Sequence, residues 1–315
     1  MNRVVPLAAA MTIGLVACSG CAARQNRFSS RFIKPGQPAA SFDDPSTARP
    51  PQDLHEYARK LRELQAKATP KTNLVPTIEA RDPELSKALL RLAMFETAEN
   101  HRLVAAAYRN AGITDYAYRH LQRALQLDPC DSLAHEGLAR LWRDWGMADL
   151  ALGDAYRALY CRPGSASAFN TLGTVFEALG QRTNARQAFE RAVRIDNQAG
   201  FALNNLCYLS LQDGDVTGAR RACERALGIE PTMTAARNNL ALAYALDGDV
   251  KGAEIRLLDS PDRAQGEYNV GILRMSLGKY WEAAAAFDLA AAERPSLWEA
   301  ARRSVQARTM AQREQ

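Results

Sequence analysis

Asparagine side chains recur at a fixed interval along the central part of this 315-residue chain. They occupy two adjacent positions of a repeating pattern: Asn170, Asn204 and Asn238 at the first position, and Asn205, Asn239 and Asn269 at the next. A carboxamide both donates and accepts hydrogen bonds, so a row of carboxamides suits the backbone of an extended peptide and makes little demand on its side chains. The chemistry that these residues predict is the binding of a peptide or protein partner.

Apolar side chains follow the asparagines on the same segments. Tyr208 and Leu242 each lie within four residues of an asparagine pair, and they are expected to add apolar contacts to the same partner. In the alternative interpretation, an asparagine beside a buried leucine only holds neighbouring helices together. The residues alone leave both interpretations open.

A second candidate site is Cys18, which follows Leu15-Val16-Ala17. An uncharged, mostly apolar run from Val4 to Ala17 comes after Arg3; it is short for a membrane span and typical of a secretory signal. The residues before Cys18 resemble the lipobox of bacterial lipoproteins, and this resemblance implies cleavage after Ala17 and lipidation of Cys18. An ordinary signal peptide with an incidental cysteine is the alternative.

The remaining cysteines could form disulfides, because an exported protein reaches an oxidising compartment. Counting outward from the turn at Gly214 and Asp215 places Cys207 and Cys223 level across an antiparallel helix pair. A disulfide and two small buried thiols are equally compatible with this placement. Cys130 and Cys161 end the second helices of successive repeats and form a less favoured pair.

The histidines and the glycine-rich segments do not predict catalysis. His101 and His135 hold equivalent places in neighbouring repeats, about 10 Å apart, which is too far for one zinc ion. Residues 271–279 lack the spacing and the preceding strand of a phosphate-binding loop, and no Gly-x-Ser-x-Gly motif is present. We therefore predict no enzymatic activity, no cofactor and no metal.

The formal charge of +5 lies mostly outside the region that is expected to fold. Residues 22–51 carry five Arg or Lys against two Asp, and the rest of the chain is close to neutral. A reader of DNA or RNA needs a basic surface. We therefore expect no nucleic-acid partner.

The elements that must position these residues follow the same 34-residue interval. Glycine recurs at Gly112, Gly146, Gly180, Gly214 and Gly248, and alanine follows five residues later each time. A fixed period of this size predicts stacked units of two helices, with the glycine closing the turn between them. Each first helix places a branched residue beside a small one, and proline follows most second helices.

This pattern of small, large and proline positions resembles the tetratricopeptide repeat (TPR) family over about 200 residues. The resemblance implies an all-α fold, a right-handed α-solenoid of about six helix-turn-helix repeats with a concave binding groove. The fifth repeat is four residues short, and its second helix is expected to stop before Pro261.

The chain is expected to divide into five parts: a signal peptide (1–17), a lipidated, disordered tether (18–51), N-terminal helices (52–97), the repeat array (98–297) and a capping helix (298–315). In the N-terminal helices, residues 53–67 place Leu54, Ala58, Leu61 and Leu64 along one side, which predicts packing on the array or against a partner. In the capping helix, Trp298, Ala301 and Val305 are expected to face inward.

These features together predict a lipid-anchored periplasmic scaffold. The resemblance to sorted bacterial lipoproteins implies that the anchor lies on the periplasmic face of the outer membrane. The layout resembles that of repeat-bearing lipoproteins of pilus and secretion assembly, such as those of tight-adherence pili, which implies a role in building an envelope complex. A noncatalytic subunit of an envelope enzyme complex is an alternative. If Cys18 is not processed, a soluble cytosolic adaptor is another.

Overall fold

The computed structural model describes residues 82–313, and every regular element in that range is a helix. The helices are α1 (Pro83–Met94), α2 (Ala98–Asn110), α3 (Thr114–Leu127), α4 (Ser132–Asp144), α5 (Ala148–Cys161), α6 (Ala166–Ala178), α7 (Arg182–Ile195), α8 (Gly200–Gln212), α9 (Val216–Ile229), α10 (Thr234–Leu246), α11 (Val250–Leu258), α12 (Arg263–Ser276), α13 (Tyr280–Glu293) and α14 (Trp298–Arg313). The predicted all-α fold is confirmed.

Helices α2 to α13 form six antiparallel pairs, which we call repeats 1 to 6; the first helix of each pair is its A helix and the second its B helix. A glycine with φ between 72° and 88° joins the two helices of every repeat. The next N–H then donates to a carbonyl five residues back, as from Ile113 to Tyr108 at 2.8 Å. This left-handed conformation favours glycine because glycine has no Cβ.

Local residue types also fix where the helices begin and end. Asp131 starts α4 by accepting hydrogen bonds from the N–H groups of Leu133 and Ala134, and Ser165 starts α6 in the same way. These side chains satisfy backbone donors that have no partner inside the helix. Four B helices end two residues before a proline: α3 before Pro129, α5 before Pro163, α9 before Pro231 and α13 before Pro295.

In repeats 3 and 6, the two helices of the repeat come close at residues sixteen positions apart. A Cβ on Gly173 would lie 2.4 Å from the ring of Phe189, and a Cβ on Gly271 would lie 2.6 Å from the ring of Phe287. Both rings are completely buried. The small residue of the A helix therefore makes room for the large residue of the B helix.

The described residues divide into two compact units, residues 82–197 and 198–313. The N-terminal unit contains α1 to α7, and its core includes Trp142, whose ring lies 5.3 Å from that of Tyr118. The C-terminal unit contains α8 to α14. Alanine and leucine side chains from repeats 5 and 6 pack around Val270 and Phe287 in its core.

Repeat 5 is shortened in its B helix. Helix α11 has nine residues and ends at Leu258, before Pro261 as the sequence predicts. The following A helix comes close to this end, because a Cβ on Gly266 would lie 2.6 Å from the carbonyl oxygen of Leu257. Glycine at this position permits the backbones to approach.

The prediction for the inner face of α14 is wrong. Trp298 and Val305 are each 63% exposed and Ala301 is exposed as well. The buried residues are Ala300, Ser304, Ala307 and Ala311, so the buried stripe is rotated around the helix from the predicted one. Small side chains let α14 pack closely on α13, where the Ser304 hydroxyl donates to Asp288 at 2.6 Å.

The predicted signal peptide, the lipidated Cys18, the tether and the segment 53–67 lie outside the described residues. Among the helices of residues 82–313, none combines the length and the apolar character that crossing a bilayer requires.

Candidate partner-binding surface

Five of the predicted asparagines lie on the A helices of the C-terminal unit. We call them the amide cluster: Asn204 and Asn205 on α8, Asn238 and Asn239 on α10, and Asn269 on α12. The A helix places them together because residues at one position of successive repeats fall on neighbouring helices. Asn170 lies on α6 of the N-terminal unit.

Hydrogen bonds within the amide cluster connect the three A helices. Asn239 Nδ2 donates to Asn204 Oδ1 at 3.0 Å, which joins α10 to α8. Asn269 Nδ2 donates to Asn238 Oδ1 at 3.1 Å, which joins α12 to α10. Gln265, which the sequence analysis did not single out, donates to Asn269 Oδ1 at 3.1 Å. The amides therefore hold neighbouring helices together, as the alternative interpretation of the sequence requires.

Burial separates the members of the amide cluster. Asn238 is 6% exposed and Asn269 is 2% exposed, whereas Asn204, Asn205 and Asn239 are only partly buried. A partly buried carboxamide keeps donor or acceptor capacity beyond one hydrogen bond. Only the three partly buried amides are therefore placed to contact a partner.

Tyr208 and Leu242 are also partly buried, one turn further along α8 and α10. Asn170, Asn205 and Tyr208 each already take part in an interaction within the chain. Binding a partner through these residues would therefore require exchange of existing contacts as well as new ones.

A small apolar cavity adjoins the buried amides in repeats 5 and 6. It is partly open to solvent and is lined by Asn238, Ala241, Leu242, Ala245, Leu257, Asn269, Ile272 and Leu273. Ala245 takes the position that Leu211 holds one repeat earlier, so a smaller side chain contributes to the space. Leu242, which lines this cavity, lies one helical turn from Asn239 on α10.

A buried carboxylate in the N-terminal unit occupies the repeat position of Asn170, Asn204 and Asn238, and the sequence analysis missed it. Glu136 is 1% exposed, and its Oε2 accepts from Arg140 at 2.9 Å and from Thr171 at 3.3 Å. Ser167 also donates to Oε2, while Oε1 has no hydrogen-bond partner. The 34-residue spacing is the signal that could have identified Glu136.

Charged residues around Arg140 make this part of α4 and α6 polar. Burial lowers the pKa of Arg140, and the nearby Glu136 carboxylate opposes that shift. Burial raises the pKa of Glu177, and Arg143 and Arg182 oppose that shift. At the repeat position of Glu136, α4 thus carries a charge, whereas α6, α8 and α10 carry amides.

The histidines take part in packing contacts. His135 Nδ1 lies 3.0 Å from Asp154 Oδ1, and Trp142 donates to Asp154 Oδ2 at 2.9 Å. The equivalent pair in repeat 1 is His101 and His120, whose Nδ1 atoms lie 2.9 Å apart. Burial, and then the neighbouring His101, lower the pKa of His120 to about 4. Within residues 82–313, no three side chains of His, Cys, Asp or Glu are grouped as a metal site would require.

Each unit contains one disulfide in the structure. Cys207 and Cys223 are bonded across repeat 4 with Cα atoms 5.4 Å apart, and both are completely buried. Cys130 and Cys161, the pair that the sequence analysis favoured less, are bonded with Cα atoms 5.3 Å apart. The turn after α3 carries Cys130 past the helix end to reach Cys161, a placement that helix counting does not reveal.

Comparisons with known proteins agree with this fold. Residues 166–198 and residues 210–270 each match a family model described as tetratricopeptide repeat. A comparison with curated protein sequences gave no match.

Similar solved structures include a chain of the APC/C hetero-tetramer Cut9-Hcn1, with a TM-score of 0.57, 20% identity, and coverage of 71% of this chain and 46% of that chain. PilW, described as a widely conserved type IV pilus biogenesis factor, matches with a TM-score of 0.53, 21% identity, and coverage of 63% of this chain and 94% of that chain. Pseudomonas aeruginosa pilF matches with a TM-score of 0.52, 19% identity, and coverage of 67% of this chain and 98% of that chain.

This chain therefore spans less than half the length of the Cut9-Hcn1 chain that it matches. At these identities the likeness concerns the fold, which is that of TPR solenoids, an architecture that typically serves as a noncatalytic interaction scaffold.

Proposed function

We propose that this protein is a lipid-anchored periplasmic scaffold that binds a peptide or protein on the A-helix surface of its C-terminal unit. The observation that carries the proposal is the grouping of Asn204, Asn205 and Asn239 with Tyr208 and Leu242 on two adjacent A helices. All five side chains are partly exposed. Amides that bind a backbone and apolar groups that bind side chains together suit an extended peptide.

The assembly that we propose for this scaffold is a pilus, secretion or other envelope complex. Two of the structures with a similar fold have pilus names, PilW and pilF, and this motivates the choice among envelope complexes. The resemblance of Leu15 to Cys18 to a lipobox supports a lipid anchor at the outer membrane. Two disulfides within the described residues suit an oxidising compartment, which favours the periplasm over a cytosolic adaptor.

Site-specific photocrosslinking in living cells tests the binding surface. A photoreactive phenylalanine analogue in place of Tyr208 should give a discrete covalent adduct with a partner, and the combined variant N204A/N205A/N239A should remove that adduct. Arg225, which is exposed on the B helix α9, provides the control position. Absence of an adduct at position 208, or the same adducts at both positions, would overturn the proposed site.

A further inference from the structure

Apolar side chains are exposed at the beginning of the described chain. Leu90, Met94 and Phe95 are 65%, 64% and 64% exposed, and we call these three residues the end patch. Leu90 and Met94 lie one helical turn apart on α1, and Phe95 follows directly at the end of that helix. Leu90 and Met94 therefore form one apolar strip along α1, and Phe95 adjoins the end of that strip along the chain.

The opposite side of α1 already has its partner. Leu85 and Ala88 are buried, and α1 packs against α2. A helix at the end of a repeat array needs a polar outer face, because no further repeat covers it. An apolar outer face on such a helix indicates that something packs on it.

The chain itself supplies a segment with the matching pattern. Residues 53–67, which lie outside the described residues, carry Leu54, Ala58, Leu61 and Leu64 at helical spacing, with charged residues at most other positions. Fifteen residues, 68–82, separate this segment from α1. Fully extended, they could span about 50 Å, which is more than the length of α1.

We propose that the apolar side of residues 53–67 packs on the end patch and closes the first end of the repeat array. Since both surfaces belong to one chain, the connection gives the segment a high effective concentration at the patch, which an unlinked partner or a second copy lacks. The tether would then leave the array from residue 52. This packing does not depend on what the amide cluster binds.

The oxidation rate of Met94 reports whether the end patch is covered. The purified full chain is treated with dilute hydrogen peroxide, and sulfoxide at each methionine is followed by mass spectrometry. If the segment packs as proposed, Met94 oxidises several-fold more slowly in the native chain than in the variant L61E/L64E. Met147, Met233 and Met275, which are partly buried elsewhere, provide internal references for an unchanged fold.

The variant R59E/A66E is the matched control, because it adds two glutamates to the same segment at positions off its apolar side. It should leave Met94 as protected as in the native chain. A second variant, L90E, should accelerate tryptic cleavage within residues 53–67. Equal oxidation of Met94 in the native chain and L61E/L64E would overturn the proposal. Protection that disappears on dilution would also overturn it, since a second copy would then be the occupant.

Discussion

Asn204 and Asn238 hold the same position in successive repeats, yet only Asn238 is almost fully buried. Asn238 accepts from Asn269, which is itself 2% exposed, whereas Asn204 accepts from a partly exposed Asn239. Loss of one partner from a buried hydrogen bond leaves a desolvated polar group, while loss of both partners does not. The two pairs should therefore respond differently to substitution.

We expect N238A to lower the free energy of unfolding by about 1–3 kcal/mol, because it leaves the buried Asn269 amide without an acceptor. The double variant N204A/N239A should change it by no more than about 0.5 kcal/mol, because both partners of a partly exposed bond are removed. Urea denaturation, monitored by circular dichroism, measures the free energy of unfolding of both variants. An N238A variant as stable as the double variant would contradict the assignment of Asn238 to helix packing.

His120 should make the N-terminal unit sensitive to acid. Its pKa of about 4 in the folded chain lies below the ordinary value of 6.5, so the unfolded state binds a proton first as the pH falls. The contribution of neutral His120 to the free energy of unfolding is fully present above pH 6.5 and is lost as the pH falls from there towards 4. The variant H120D copies the pair that His135 and Asp154 form in repeat 2, and it should reduce this decline.

Urea midpoints at pH 7 and pH 5 measure the effect, with R119Q at an exposed neighbouring position as the control. An equal fall in midpoint for the native chain and H120D would show that the acid sensitivity arises elsewhere.

At the scale of helix pairs, the same contact between an A helix and its B helix is made by different residue types in different repeats. Gly173 faces Phe189 in repeat 3 and Gly271 faces Phe287 in repeat 6, while repeat 4 places Cys207 and Cys223 at the same two positions. Each of these residue pairs lies at the same place between the A and B helices. Between these repeats the two residues of the pair therefore differ together, a small residue facing a ring in repeats 3 and 6 and two bonded cysteines facing each other in repeat 4.

This equivalence predicts that phenylalanine can partly replace the disulfide of repeat 4. Removing it with C207S/C223S should cost about 3 kcal/mol in the loop-entropy model, since the bond closes a loop of 16 residues. The variant C207G/C223F should recover part of that loss because the ring fills the vacated space. C223F alone should be the least stable, because the side chain of Cys207 then collides with the ring.

Thermal unfolding under nonreducing conditions ranks these variants. If C207G/C223F is no more stable than C207S/C223S, the contact in repeat 4 differs from that in repeats 3 and 6.

At the scale of the whole molecule, the predicted lipid anchor determines where in the cell the repeat array is located. Cys18 and the tether lie outside the described residues, so the anchor stays a prediction from the sequence. We expect C18A to release the protein from the membrane fraction, because one cysteine would carry the lipid. C21A is the matched control and should remain in the membrane fraction. Retention of C18A in membranes would contradict lipidation at this residue.

The sequence by itself determined the helical repeats, the turn glycines and the early end of α11. Each of these depends on local chemistry: a glycine that adopts positive φ, a proline that cannot continue a helix, or a period that recurs along the chain. The glycine and proline signals act within a few residues, and the period is visible along the chain, so all three can be recognised without knowledge of neighbouring helices.

Only the tertiary structure decided which side of α14 is buried, which asparagines are buried and that Cys130 reaches Cys161. A helix can be turned about its axis without any change in its backbone hydrogen bonds, so its own pattern permits more than one buried side. In α14, small side chains pack against α13 and Trp298 is left exposed. Identical residues at identical repeat positions likewise differ in burial, because burial depends on what the adjacent repeat places against them.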